Sequence, residues 1–253
     1  SKVILIVHDI EALRANAGAG HDRENKTELK LLGMADGLVS LNAVMTDWLR
    51  AHGIKVPITN LNVWDYDNPN AINPMLPYTG SICFAGNLDK STFLTKYNLK
   101  HKLLVFGRQT TSMNFPDAIE YGGVFSPEEL PSKLRANFGL IWDGDELTTC
   151  SGNFGKYLCY NAPHKTSLYL SSGVPVIVWK EAAVAKFIES YGCGVTISSL
   201  NELDAVLDKL TVKQYKKLYE NTIQVAKMMR YGEFMQKAID SLIKMLDEGK
   251  KDE

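Results

Sequence analysis

The chain has 253 residues, 45% of them hydrophobic and 23% charged, with a formal net charge of -1. This is the make-up of a globular protein, long enough for one large domain or two modest ones, and it excludes a disordered or fibrous chain. The near-neutral charge argues against a broad nucleic-acid surface, which needs a basic excess to meet phosphates. The four cysteines, Cys83, Cys150, Cys159 and Cys193, show neither CxxC spacing nor companion histidines, so no zinc site is expected, and Cys83 and Cys193 read as core thiols. No leader and no apolar run of spanning length is visible, so a reduced, cytoplasmic protein is the expectation.

Taken in chain order, Val3 to Val7 reads as a buried strand followed by a loop at His8-Asp9. Thr27 to Met34 reads as a helix and Gly37 to Ser40 as a short strand. Leu41 to His52 has helical spacing of Val44, Met45, Trp48 and Leu49, with Asn42 as cap and Gly53 as stop. Val56 to Leu61 closes this block as a strand, and Trp64 to Tyr78, rich in Asp, Asn and Pro, has the chemistry of a linker. A second block follows: strands at Ser81–Ala85, Lys102–Phe106, Ile119–Val124, Gly139–Trp142, Pro175–Trp179 and Gly194–Ile197. Helices are expected at Lys90–Tyr97, after the Ser126-Pro127-Glu128-Glu129 capping box, at His164–Ser171 and at Glu181–Ser190. Amphipathic helices at Tyr215–Met229 and Glu233–Glu248 end the chain, with a charged tail to Glu253 expected to fray.

Alternating strands and helices imply parallel sheets built from right-handed crossovers. The expected architecture is α/β with two Rossmann-type domains facing a cleft. We expect an N-terminal domain over residues 1–76, a second over 77–230, and a C-terminal helix over 231–253 that packs back on the first. A buried parallel strand needs neighbours on both sides, so the immediate start in Val3 to Val7 suggests that the first domain is incomplete.

Ligands of open α/β sheets bind outside the carboxyl ends of the strands, which singles out the loops after Val7, Ala85, Phe106, Trp142 and Trp179. After Ala85, Gly86 lets a backbone approach a ligand, and Asn87 and Lys90 enter the expected helix, whose N-terminus would meet a phosphate; a plain turn with a surface lysine fits the same residues. At Asn161-Ala162-Pro163-His164-Lys165-Thr166, two basic residues crowd a helix start, unfavourable for the dipole unless an anion neutralises them. A diphosphate would do so; a surface lysine with a small penalty is the plainer reading. His8 and Asp9 follow a strand end, where either could serve as a general base; the plainer reading has Asp9 cap the next helix or pair with Arg14.

Several segments together carry a resemblance: Ser172-Gly173-Val174-Pro175-Val176-Ile177, Gly123 to Leu130, Leu140 to Asp145, Cys150-Ser151-Gly152, Tyr160-Asn161, Pro163-His164-Lys165 and Val7 to Arg14. They resemble GT-B glycosyltransferases, and most closely the bacterial β-1,6-galactofuranosyltransferase and Gtf3-like glucosyltransferase family, over nearly the whole chain. The resemblance implies a UDP-sugar donor, with Lys90 and Lys165 on the diphosphate and Phe125 and Ser126 beside the uracil. It further implies Tyr160, Asn161 and Thr166 as donor contacts. Asp143 and Asp145 follow a strand end and could bond sugar hydroxyls or form a solvated acidic loop. Members of the family carry strand–helix units ahead of the segment resembling Val3 to Arg14, which fits an incomplete first domain.

The implied reaction moves a hexose, galactofuranose or glucose, from the UDP-sugar to a sugar hydroxyl of a glycan or glycoprotein acceptor. Two lysines make a metal unnecessary, so no cofactor and no metal are expected. Peripheral membrane contact and homo-oligomerisation are left open. The alternative is a non-catalytic nucleotide-sugar-binding or scaffolding partner of another transferase. A nucleotide-sugar epimerase is disfavoured, because no GxGxxG follows an early strand.

Overall fold

A computed structural model describes residues 2–14, 20–109 and 113–248, so most of the charged tail lies outside the described residues. The N-terminal part holds β1 (Ile4–Ile6), α1 (Glu11–Arg14), α2 (Asp22–Leu32), β2 (Gly37–Ser40), α3 (Ala43–Ala51) and β3 (Ile58–Asn60). The remainder holds β4 (Ile82–Ala85), β5 (Leu103–Phe106), β6 (Ile119–Gly123), α4 (Leu130–Lys133), β7 (Phe138–Ile141), α5 (Gly152–Tyr157) and α6 (His164–Ser171). It continues with β8 (Val176–Trp179), α7 (Ala185–Tyr191), β9 (Gly194–Ile197), α8 (Leu203–Lys209), α9 (Val212–Arg230) and α10 (Glu233–Glu248).

Both sheets are parallel. The first has the order β1-β2-β3, with Leu38 paired to Ile58 and Leu5 to Leu38. The second has the order β6-β5-β4-β7-β8-β9, the doubly wound order in which the chain leaves β4 on one side and returns to its other side at β7. Strands β4, β7 and β8 are buried along their whole length, which explains their unbroken apolar runs. Cys83 and Cys193 are fully buried in this core, and burial pushes each thiol up to about 12.

Tight contacts set the position of α6. A Cβ on Gly139 would lie 2.3 Å from the Tyr169 ring, so only glycine lets α6 approach β7 this closely. The Tyr169 hydroxyl in turn accepts a hydrogen bond from the Ala85 amide at 2.7 Å, tying α6 to the end of β4. At its other end α6 closes on Gly173 at φ +80°, with Val174 N bonded to Tyr169 O and Gly173 N to Leu170 O. That double closure is why the Gly-Val-Pro-Val-Ile turn can deliver β8 directly beneath the helix. Arg230 at the end of α9 donates to Ser171 O from both Nε (2.9 Å) and Nη2 (2.6 Å), meeting a carbonyl the helix leaves open.

The segment after β3 has no regular structure, yet it is packed. Trp64, Asn68 and Asn73 are buried, and Asn68 Nδ2 donates to the Ser171 and Ser172 hydroxyls at 3.2 Å each. The Asp/Asn composition therefore serves buried polar pairing as well as turning. Asp65 accepts hydrogen bonds from Phe234 N (3.2 Å) and Met235 N (2.7 Å), capping α10 from a distance in sequence. Helix α10 lies against β2 and β3: Thr59 Oγ1 donates to Ala238 O at 2.9 Å, and Leu242 packs on Gly37.

The helix expected over Lys90 to Tyr97 does not form. Two 3-10 turns stand there, Leu88–Lys90 and Thr92–Lys96. Asn87 accepts from Asp89 N at 3.0 Å and Ser91 Oγ donates to Asn87 O at 3.1 Å, local bonds that compete with helix propagation. The box at Ser126 and Glu129 makes both reciprocal bonds at 3.3 Å, but it closes a turn and α4 begins only at Leu130.

Candidate active site

The doubly wound order places a switch point between the carboxyl ends of β4 and β7, and the first turn of α6 faces it. Lys165 sits there. Its Nζ lies 2.7 Å from Asp143 Oδ1, donates to Trp142 O at 3.3 Å, and stands 4.7 Å from the centre of the Phe84 ring. The Lys165 and Asp143 side chains are only 14% and 20% exposed, so the ion pair is shielded from solvent on most sides. Gly86 is adjacent: a Cβ built on it would be 3.9 Å from Lys165 Nζ. Among the described residues no side chain caps α6, whose N-cap residue is Pro163; Thr166 N bonds to Pro163 O at 2.9 Å, and the His164 and Lys165 amides precede it at the helix start. A cavity of about 340 Å³ opens here, lined by Tyr66, Gly86, Leu130, Pro163, His164 and Lys165.

The other expected residues are each held by contacts of their own. Gly86 N bonds to Phe106 O at 3.1 Å, and a Cβ on Gly107 would fall 1.8 Å from Gly86 O, so the loops after β4 and β5 lie against each other. Asn87 caps a 3-10 turn, and Lys90 ends it with Nζ 4.0 Å over the Phe154 ring. The helix N-terminus expected beside Gly86 is thus absent; of the two loops, only that before α6 presents one. Phe125 packs edge-on to Phe106 with centroids 5.9 Å apart, and Lys133 Nζ lies 5.1 Å from its ring. Ser126 is exposed and engaged with Glu129.

Asp145 is held by Ser151: Asp145 N donates to Ser151 Oγ at 3.0 Å and that hydroxyl donates back to the carboxylate, which lowers the carboxyl pKa. Gly144 between the two aspartates has φ +111°, and a Cβ there would meet Ser151 O at 2.5 Å. Tyr160 and Asn161 offer their carbonyls to Asn42 Nδ2, at 2.7 and 3.5 Å. Among the described residues, the Asn161 Oδ1 and Thr166 Oγ1 atoms are buried with no hydrogen-bond partner. Thr166 itself is fully buried, one turn into the helix.

From the N-terminal part, Asp9 pairs with Arg14 Nη1 at 3.2 Å, the arrangement that the Arg14 alternative anticipates. His8 packs tilted on Trp64 with centroids 4.2 Å apart and approaches His164 at 5.8 Å, while Trp64 and His164 stack 5.2 Å apart. Three rings from three segments therefore close one side of the site. His164 is exposed as a residue; its partial desolvation against these rings and the nearby His8 lower its pKa, against the opposing effect of Asp9. The Tyr157 hydroxyl accepts from Ile10 N at 3.0 Å and joins α5 to the same loop. Trp64, Tyr66 and Tyr157 were not singled out by sequence; two aromatics inside a polar linker were the available signal for the first two.

The geometry has counterparts. Residues 82–242 match the family described as glucosyltransferase 3-like, C-terminal domain, and residues 1–63 match its N-terminal domain. The β-1,6-galactofuranosyltransferase WbbI of Escherichia coli (strain K12) is 31% identical over 247 residues, covering 96% of this chain and 71% of that protein. Glucosyltransferase 3 of Streptococcus gordonii is 26% identical over 97% of this chain and 72% of its own length. Among solved structures, WaaG, a glycosyltransferase involved in lipopolysaccharide biosynthesis, superposes with a TM-score of 0.60 at 15% identity, over 94% of this chain and 74% of that one. Anabaena HepE, solved in complex with UDP-glucose, gives 0.56 at 11% identity, over 95% and 72%. The fold is GT-B, as expected, and the chain belongs to the glucosyltransferase 3-like family of glycosyltransferases.

Proposed function

We propose that the switch point between β4 and β7 binds the diphosphate of a UDP-sugar and that the chain transfers a hexose from it to a sugar hydroxyl. The observation that carries this reading is Lys165, a shielded ammonium beside Asp143 at the uncapped start of α6. As the bond between the anomeric carbon and the diphosphate oxygen breaks, negative charge grows on the leaving group. Lys165 and the amides of the first α6 turn stabilise that charge, which is where such an enzyme gains most. The acceptor oxygen forms the new bond to the anomeric carbon and gives up its proton. Asp9, paired with Arg14 in the N-terminal part and near enough to His164 to act on its charge, is the group we assign to that role.

Phe125 with Ser126 are assigned to the uracil, and Gly86, Asn87 and Lys90 to the loop flanking the phosphates. Tyr160, Asn161 and Thr166 are assigned as further donor contacts, a role supported by Asn161 Oδ1 and Thr166 Oγ1, which are buried without a hydrogen-bond partner among the described residues. Transfer needs no metal in this account. Asp143 and Asp145 have the spacing of a metal-binding pair, but the first carboxylate is engaged by Lys165 and the second by Ser151. A screen of UDP-sugars tests the reading: UDP release is expected from a UDP-hexose, and at the same rate in excess EDTA. Loss of release in EDTA would contradict the metal-free mechanism.

A further inference from the structure

A second cavity, of about 560 Å³, lies away from Lys165 between the start of α3, the end of β3, α7 and α10. Its size is that of a small-molecule site, and the carboxyl end of a parallel strand is where such folds bind ligands. We propose that it is a second saccharide site, for a sugar that carries a phosphate or carboxylate group.

Three features fit that chemistry. Phe187, Tyr191 and Phe234 form an aromatic cluster, with centroids 4.5 Å (Phe187–Tyr191), 5.4 Å (Phe187–Phe234) and 6.1 Å (Tyr191–Phe234) apart. Phe187 and Phe234 are buried while Tyr191 is 38% exposed, so one rigid aromatic ring backed by two others is offered to the cavity. An amphipathic ring of this kind suits the apolar face of a sugar. The charged residues of the lining are Lys186 and Lys237, with no carboxylate among them. Lys237 meets Glu233 at 3.3 Å on the exposed face of α10, a weak pair that an anion can displace.

Asn62 supplies an amide for hydroxyl groups, and Asn60 its Nδ2, because Asn60 Oδ1 already accepts from Ser40 Oγ at 2.9 Å and Thr46 Oγ1 at 2.6 Å. Asn62 has φ +70°, the one non-glycine residue at positive φ among the described residues, and its backbone N–H donates to Leu41 O at 2.8 Å. The cavity shares no lining residue with the pocket at Lys165. The inference therefore stands apart from the donor reading, and UDP binding measured on the same protein reports on that reading separately.

Glucose 6-phosphate is the probe, measured by calorimetry on the full chain with UDP at high concentration, against glucose and inorganic phosphate. It should bind at least about tenfold more tightly than either comparison ligand. The double variant Lys186→Ala/Lys237→Ala should weaken it at least about fivefold, and Tyr191→Ala at least about threefold, while UDP affinity stays within about twofold. Binding should also survive Lys165→Ala. The proposal is overturned if glucose 6-phosphate does not bind, if inorganic phosphate binds equally well, or if affinity is unchanged in the Lys186 and Tyr191 variants.

Discussion

The Lys165 ammonium lies 2.7 Å from the Asp143 carboxylate, joining the first turn of α6 to the end of β7 across the switch point of the larger sheet. The pair resolves a local conflict. A lysine at an uncapped helix start is opposed by the dipole, and Asp143 supplies the missing negative charge. A diphosphate would supply it more strongly, so ligand and carboxylate compete for one ammonium.

Asp143→Asn separates the two roles. Removing the carboxylate leaves a shielded ammonium without its partner, and urea denaturation should show a loss of about 1–3 kcal/mol. UDP affinity should be held or raised, because the competitor is gone. Unchanged stability together with several-fold weaker UDP binding would mean that Asp143 acts on the ligand itself.

Asn42 carries a second testable link, since its Oδ1 accepts from Met45 N at 3.0 Å while Nδ2 donates to Tyr160 O at 2.7 Å. One side chain thus caps α3 and fastens it to the loop before α6. Asn42→Ala should cost about 1–2 kcal/mol. Asn42→Asp keeps the capping oxygen but sets a carboxylate against a carbonyl, so it too should be destabilising. An Asp variant as stable as the parent would limit Asn42 to capping.

His164 gives a pH dependence. Its lowered pKa means that the folded chain holds the imidazole neutral, at pH values where the unfolded chain takes up a proton. Above the ordinary value of 6.5 both states are neutral and nothing is gained or lost. As pH falls below that value the unfolded state binds the proton first, so stability declines until the lowered folded pKa is passed. His164→Gln should flatten this acid-side decline in thermal midpoint, and bound UDP should shift the His164 resonance titration upward. Parallel declines in parent and variant would contradict the assignment.

Much of this arrangement was legible before the structure. The bounds of α6, β9 and α10 agree with the expected helix at His164–Ser171, strand at Gly194–Ile197 and helix at Glu233–Glu248, because unbroken apolar patterns and Gly or Pro punctuation mark each. Lys165 stood out through the dipole conflict, the Gly-Val-Pro-Val-Ile turn after its helix and the family resemblance at Pro163-His164-Lys165. What was not legible depended on partners distant in sequence. Helix α5 contains Gly152 and Gly155 in six residues and has no apolar period; it forms because Gly155 packs under Asp143 O and Cys150. The 3-10 turns at Lys90 replaced a helix through local Asn87 and Ser91 bonds. Helix α8 has a box at Ser199 and Glu202, ahead of Leu203 and Leu207 at helical spacing, a signal present in the sequence. Trp64 and Tyr66 reached the site only because a segment of linker composition is packed along α6.

The central claim, that Lys165 holds a nucleotide diphosphate, is tested most directly by calorimetry of UDP binding. Because Lys165→Ala would leave Asp143 to repel the ligand, the informative protein is the double variant Lys165→Ala/Asp143→Asn, with circular dichroism as the check on folding. UDP affinity should fall at least about tenfold from that of Asp143→Asn alone, a loss of about 1.4 kcal/mol. A folded double variant that binds UDP as tightly as Asp143→Asn would contradict the account.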